Sequence, residues 1–90
     1  MKDQTVPSLP RGVRLQEDKV RGLWSLLGPE RVFQLDDIAV EIISRCDGQA
    51  DLEAIEADLA STFEVAASDV SADVREFLQG MADKGMVNLS

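Results

Sequence analysis

From Val13 the chain alternates apolar and polar residues, with Val13 and Leu15 on one face and Arg14 and Gln16 on the other. That period of two predicts a half-buried strand. Glu17-Asp18-Lys19 reads as a polar turn, and Val20 to Leu27 as a second strand, with Leu23, Ser25 and Leu27 opposing Trp24 and Leu26. Gly28-Pro29 breaks it, because Pro fixes φ and lacks an N–H donor, and Gly accepts turn angles that other residues resist. Arg31 to Leu35 then predicts a short third strand, with Phe33 and Leu35 on one face and Val32 and Gln34 on the other. Three strands joined by short turns make an antiparallel meander within residues 12–35.

At Leu35-Asp36 the period changes from 2 to 3.6. Asp36 suits an N-cap and the positive end of a helix dipole. Ile38, Ile42, Ile43 and Cys46 form the apolar stripe of a helix over 36–46, which Asp47-Gly48 ends. Asp51 caps a second helix over 51–63 with the stripe Leu52, Ile55, Leu59 and Phe63. Ser68 or Asp69 caps a third over 69–84, with the stripe Val70, Val74, Phe77, Leu78 and Met81 and a stop at Gly85. Gly80 inside that helix costs about 1 kcal/mol relative to Ala. Either something approaches closely there or the position is tolerant. Met86, Val87 and Leu89 form a short apolar tail expected to fold back. Residues 1–10, with Pro7, Ser8 and Pro10, read as a flexible N-terminal arm, and 11–90 as one domain. Helices this short need tertiary packing, so their stripes must meet one another and the inner face of the strands. The fold class expected is α+β: a winged-helix-like arrangement of a three-stranded antiparallel meander followed by three helices.

Composition narrows the function. The 90 residues carry a formal charge of -8, unevenly spread. Residues 1–34 hold six basic and four acidic residues, and residues 35–90 hold three and thirteen. An acidic helical half repels phosphate backbones, so no nucleic acid is expected as a partner. There is no His and a single Cys, which removes imidazole acid–base chemistry and a thiolate zinc site. Cys46 on an apolar stripe reads as core rather than nucleophile. Asp36-Asp37 or Asp69 with Asp73 lack calcium-loop spacing, and capping and solvation explain them better. Gly28-Pro29-Glu30-Arg31 lacks the pattern of a phosphate loop. No catalytic residue, metal or cofactor is therefore expected. The short apolar runs predict no membrane span, Met1 to Gln4 precede no apolar signal region, and the lone Cys fits a reduced cytoplasm.

The motifs Arg11-Gly12-Val13-Arg14-Leu15, Leu27-Gly28-Pro29-Glu30-Arg31, Asp47-Gly48, and Asp73-Val74 followed by Phe77-Leu78 stand in an order and spacing that resemble the PqqD family of pyrroloquinoline quinone (PQQ) biosynthesis. The resemblance spans about Pro10 to Val87. Asp51 departs from it, since Thr is more typical there, but both residues cap helices. It implies a non-enzymatic peptide chaperone, of the type called a recognition element for ribosomally made, modified peptides. Such a protein binds the precursor peptide PqqA and presents it to the radical S-adenosylmethionine (SAM) enzyme PqqE, which holds the clusters and cofactor itself.

On that reading the peptide adds a strand to the edge Arg31, Val32, Phe33, Gln34 and Leu35, in a groove walled by Val74, Phe77, Leu78 and Met81. Phe33 and Leu35 are expected to be mainly core, leaving Val32 and the flank of the third helix as the better contacts. Trp24, Glu30 and Arg31 are candidate partner contacts, with core packing the simpler account of Trp24. A monomer is expected, with strand-exchanged or edge-paired dimers open to it in crystals. The alternatives are a winged-helix transcriptional regulator, which would want a basic recognition helix, another small adaptor, or a carrier protein, which would need an Asp-Ser-Leu attachment site that is absent.

Overall fold

The structure, a computed structural model, describes residues 2–90. Three strands, β2 (Arg14–Asp18), β3 (Leu23–Leu27) and β4 (Val32–Leu35), form an antiparallel sheet in the order β2-β3-β4. Three helices follow: α1 (Asp37–Ser44), α2 (Leu52–Phe63) and α3 (Ala67–Asp83). This is the α+β arrangement that the change of period predicts. Two short strands at the chain ends, β1 (Pro7–Ser8) and β5 (Asn88–Leu89), make a second antiparallel sheet.

The register explains the core. Trp24 stands opposite Leu35, and Leu26 opposite both Leu15 and Phe33. These residues share the inner face of the sheet. Leu26 and Leu35 are buried there among Ile42, Ile43 and Cys46 of the α1 segment, Leu52, Ile55 and Leu59 of α2, and Val74, Leu78 and Met81 of α3. The outer face carries Val32 and Gln34, both exposed.

Helix caps follow the sequence at two of three sites. Asp36 accepts from the Ala39 N–H at 2.8 Å, and Asp51 from the Ala54 N–H at 2.8 Å. At the third, the N-cap is Ala66, with no side-chain cap, so neither Ser68 nor Asp69 fills that role. Both lie inside the first turn, because α3 starts two residues before the expected position. Arg45 ties α1 to α2: its Nε donates to Asp58 at 2.6 Å, and its Nη1 to the Glu41 carboxylate at 2.7 Å.

Four further expectations are corrected. Val20 is not in a strand. It sits in the β2–β3 turn at 97% exposure, because Asp18 Oδ1 accepts from the Val20 and Arg21 N–H groups and closes the turn there. Ile38 and Phe63 lie on their expected helical stripes but remain exposed, at 57% and 39%. Gly48 does adopt a left-handed φ of +78°, yet α1 has already ended at Ser44. The glycine serves a turn whose N–H donates to Pro7 O at 3.1 Å.

The fourth concerns the N-terminal segment, which is docked rather than a free arm. Val6 and Ser90 exchange backbone hydrogen bonds at 2.9 and 3.2 Å. Thr5 O accepts from the first N–H of α2, on Leu52, at 2.9 Å, and Asp3 O accepts from Glu53 at 3.1 Å. Pro7 is fully buried. The apolar C-terminal tail folds back as expected, through β5.

Candidate peptide groove

β4 is an edge strand, and the backbone pattern identifies which of its groups are open. The Gly28 N–H donates to Arg31 O at 2.8 Å, which makes that pair a hydrogen-bonded one. Antiparallel pairs alternate between bonded and non-bonded. Leu26–Phe33 and Trp24–Leu35 are then bonded, while Leu27–Val32 and Ser25–Gln34 are not. The N–H and C=O groups of Val32 and Gln34 therefore point away from β3, towards the open edge.

Beside that edge lies a groove of about 350 Å³ between β4, the start of α1 and α3. Phe33, Ile38, Phe77 and Met81 give it apolar walls, and Asp36 and Asp73 lie on its rim. β4 and α3 run in opposite senses along it. Asp73, early in α3, meets the Leu35–Ile38 end. Just past the end of α3, Lys84 O accepts from Arg31 Nη1 at 3.2 Å, and Lys84 Nζ lies 5.7 Å from the Phe33 ring centroid, within cation–π range. The groove is thus basic at one end and acidic at the other.

The expected site residues divide accordingly. Phe33, Gln34, Leu35, Phe77 and Met81 line the groove together. Leu35 and Met81 are also core, at 6% and 8% exposure, whereas Phe33 and Phe77 are half-buried. Val32 is 69% exposed with its side chain on the outer face, so it offers the groove its backbone rather than its side chain. Arg31 stands at the basic end. Val74 and Leu78 do not line the groove. At 2% and 0% exposure they face the interior, one helical step round from Asp73 and Phe77. Trp24 lies half-buried on the inner sheet face against the core, and Glu30 is exposed in the β3–β4 turn.

Asp36, Ile38, Ala39, Ile42 and Asp73 also stand in the groove wall, at positions that strand alternation and helix stripes do not mark as a site. The available signal was that Ile38 directly follows an edge strand and its cap, so the first turn of α1 has to lie over the end of β4.

Known proteins share this chain's sequence and shape. The family profile for coenzyme PQQ synthesis protein D (PqqD) matches residues 24–87. A PqqA binding protein of Rhizobium meliloti (strain 1021) is 44% identical over 85 residues, covering 94% of this chain and 87% of that protein. Another, from Xanthomonas euvesicatoria, is 45% identical over 83 residues, covering 92% and 90%. Among solved structures, the NMR structure of the PqqD truncation of Methylobacterium extorquens PqqCD, representing a functional and stand-alone recognition element for ribosomally synthesized, post-translationally modified peptides, is 39% identical. It covers 98% of this chain and 94% of that one with a TM-score of 0.84. The crystal structure of PqqD from Xanthomonas campestris is 42% identical, covers 93% of each chain and has a TM-score of 0.58.

Proposed function

The chain belongs to the PqqD family, and from that premise we propose that it binds the precursor peptide PqqA as an added strand on β4. The observation that carries the proposal is the open edge at Val32 and Gln34 beside an apolar groove. Main-chain hydrogen bonds at such an edge supply sequence-tolerant affinity, and pockets for alternate side chains supply specificity. Antiparallel addition is the more favourable mode. It places the N-terminal end of the bound segment near Asp36 and Asp73 and its C-terminal end near Arg31 and Lys84. An acidic peptide residue at the Arg31 rim adds about 0.5–1 kcal/mol.

The protein then presents the peptide to the radical SAM enzyme PqqE, as a cytoplasmic monomer with no catalytic step of its own. Glu30 and the adjoining turn are the proposed enzyme-facing contacts, because they stand beside the bound segment without forming the groove. A regulator that reads DNA is the weaker reading. The helix that would enter the groove of DNA is α3, whose Asp69, Asp73, Glu76 and Asp83 outnumber its one basic residue, Arg75, and Arg75 is paired with Glu56 at 3.0 Å.

The test is an amide chemical-shift titration with synthetic PqqA. The largest shifts should fall on Val32–Leu35 and on α3 from Asp73 to Met81. Shifts confined to residues 13–20 and α2 would sink the groove. Val32→Pro should abolish most of the affinity and leave the protein folded, since that N–H faces solvent in the free protein. Phe33→Pro removes a ladder bond and should instead disrupt the sheet.

A further inference from the structure

Among the described residues, five large apolar side chains are exposed, and three of them, Ile38, Phe63 and Val65, surround a single cleft. It lies between α1, the C-terminal end of α2 and the start of α3, and encloses about 260 Å³. Buried Ile42, Leu59 and Val74 form its floor, and Asp69 and Asp73 stand at its mouth. Among the described residues, no Lys or Arg lines it. The cleft is continuous with the β4–α3 groove, because Ile38, Ile42 and Asp73 line both. Its volume falls below the ~300–1,000 Å³ of small-molecule sites, so one anchoring side chain suits it better than a free ligand.

We propose that this cleft is a second subsite for the precursor peptide, which takes a large apolar side chain from the segment N-terminal to the added strand, beside a basic residue that faces Asp69 and Asp73. The proposal rests on the reading of the groove above. Antiparallel addition to β4 delivers the N-terminal flank of the strand past Asp36 and Ile38 into this cleft. The acidic mouth selects the chemistry of the occupant. A second copy of this chain carries a formal charge of -8, so its approach to Asp69 and Asp73 is opposed overall, although its residues 1–34 are net basic. An apolar anchor next to a Lys or Arg meets both the floor and the mouth.

The experiment measures binding of fluorescein-labelled synthetic PqqA and of the same peptide shortened by the residues N-terminal to the added strand. Phe63→Ser should weaken binding of the full peptide about tenfold and leave the shortened peptide unaffected. Asp69→Lys should likewise act only on the full peptide, more strongly at low salt than at high. Val65→Ser, at a 43% exposed position, reads the same contact if Phe63→Ser melts too low for measurement. Equal losses for both peptides, or no loss for either, overturn the subsite while leaving the groove intact. A changed sedimentation coefficient of the free Phe63→Ser protein, with peptide affinity unaltered, assigns the cleft to a second copy and also overturns it. Failure of the wild-type protein to bind the full peptide overturns both groove and subsite.

Discussion

Cys46 shows how little a residue's identity says before its surroundings are known. Its side chain is 4% exposed, and its Sγ–H donates to Ile42 O at 3.3 Å. Burial, with a smaller contribution from the Asp47 charge, pushes the thiol from 9.0 up to about 12. The folded-state value lies above the unfolded one, so the associated stability is fully present below about pH 9 and is lost as pH rises towards 12. Native protein should therefore resist a thiol-specific disulfide reagent at pH 8, reacting only as fast as it unfolds. Urea melts should show a stability loss between pH 9 and 12 that is smaller in Cys46→Ala. Fast, stoichiometric labelling of folded protein would contradict the burial. The apolar stripe of the helix expected over 36–46 made Cys46 legible as core in the sequence, but the same stripe included Ile38, which is 57% exposed. Periodicity names a helical face. It does not say how far along that face the neighbouring elements reach, and the groove begins where cover stops.

At the scale of elements, boundaries follow local chemistry closely where a side chain closes the end. Asp36 and Asp51 cap α1 and α2 at the positions the sequence marks, and the switch from strand to helix falls at Leu35-Asp36 as its change of period requires. α3 departs because nothing caps it: Ala66 has the extended backbone of an N-cap, φ -74° and ψ 146°, without an acceptor to offer. Ala66→Ser should place a hydroxyl within reach of the first-turn N–H groups, of which that of Asp69 so far donates only to the Ala66 carbonyl at 2.9 Å, and raise stability by about 1 kcal/mol in thermal melts. Gly80, where close approach and simple tolerance were both open, meets no atom within 4 Å at the position of an added Cβ. Gly80→Ala should thus stabilise α3 by about 1 kcal/mol. A destabilised Gly80→Ala protein would mean that the space beside α3 is filled in solution. The groove's two walls were legible as an edge strand and a helix. Which side chains of α3 form its wall was only partly legible, because α3 presents Phe77 and Met81 to the groove and turns Val74 and Leu78 inward, a division that spacing alone leaves open.

At the scale of the whole molecule, the chain ends are joined by contacts that no local pattern encodes. Proline, serine and weak periodicity in residues 1–10 are the signature of a mobile segment, and nothing nearby reveals that Pro7 pairs with Leu89 and Ser8 with Asn88. The segment also meets the α1–α2 loop and the start of α2, accepting from Gly48, Leu52 and Glu53 through the carbonyls of Pro7, Thr5 and Asp3. Two of those donors belong to the first turn of α2, whose amides have no partner within the helix. The segment thus supports the N-terminus of α2 and holds the C-terminal tail in place, and Asp3 joins Arg75 and Glu56 in an ion-pair network across α2 and α3. Deleting residues 2–8 removes these hydrogen bonds, each with a net worth near 1 kcal/mol, and uncovers surface beneath Pro7. The expected loss is at least about 3 kcal/mol, or a fall of roughly 15 °C or more in Tm for a domain of this size. A free arm would leave Tm unchanged on deletion. The groove supplies the control: no residue of 2–8 lines it. At a temperature where the shortened protein stays folded, its affinity for synthetic PqqA should therefore match that of the full chain within about twofold, a difference of no more than ~0.4 kcal/mol. Lost binding without lost stability would show that the N-terminal segment belongs to the peptide site and not to the scaffold.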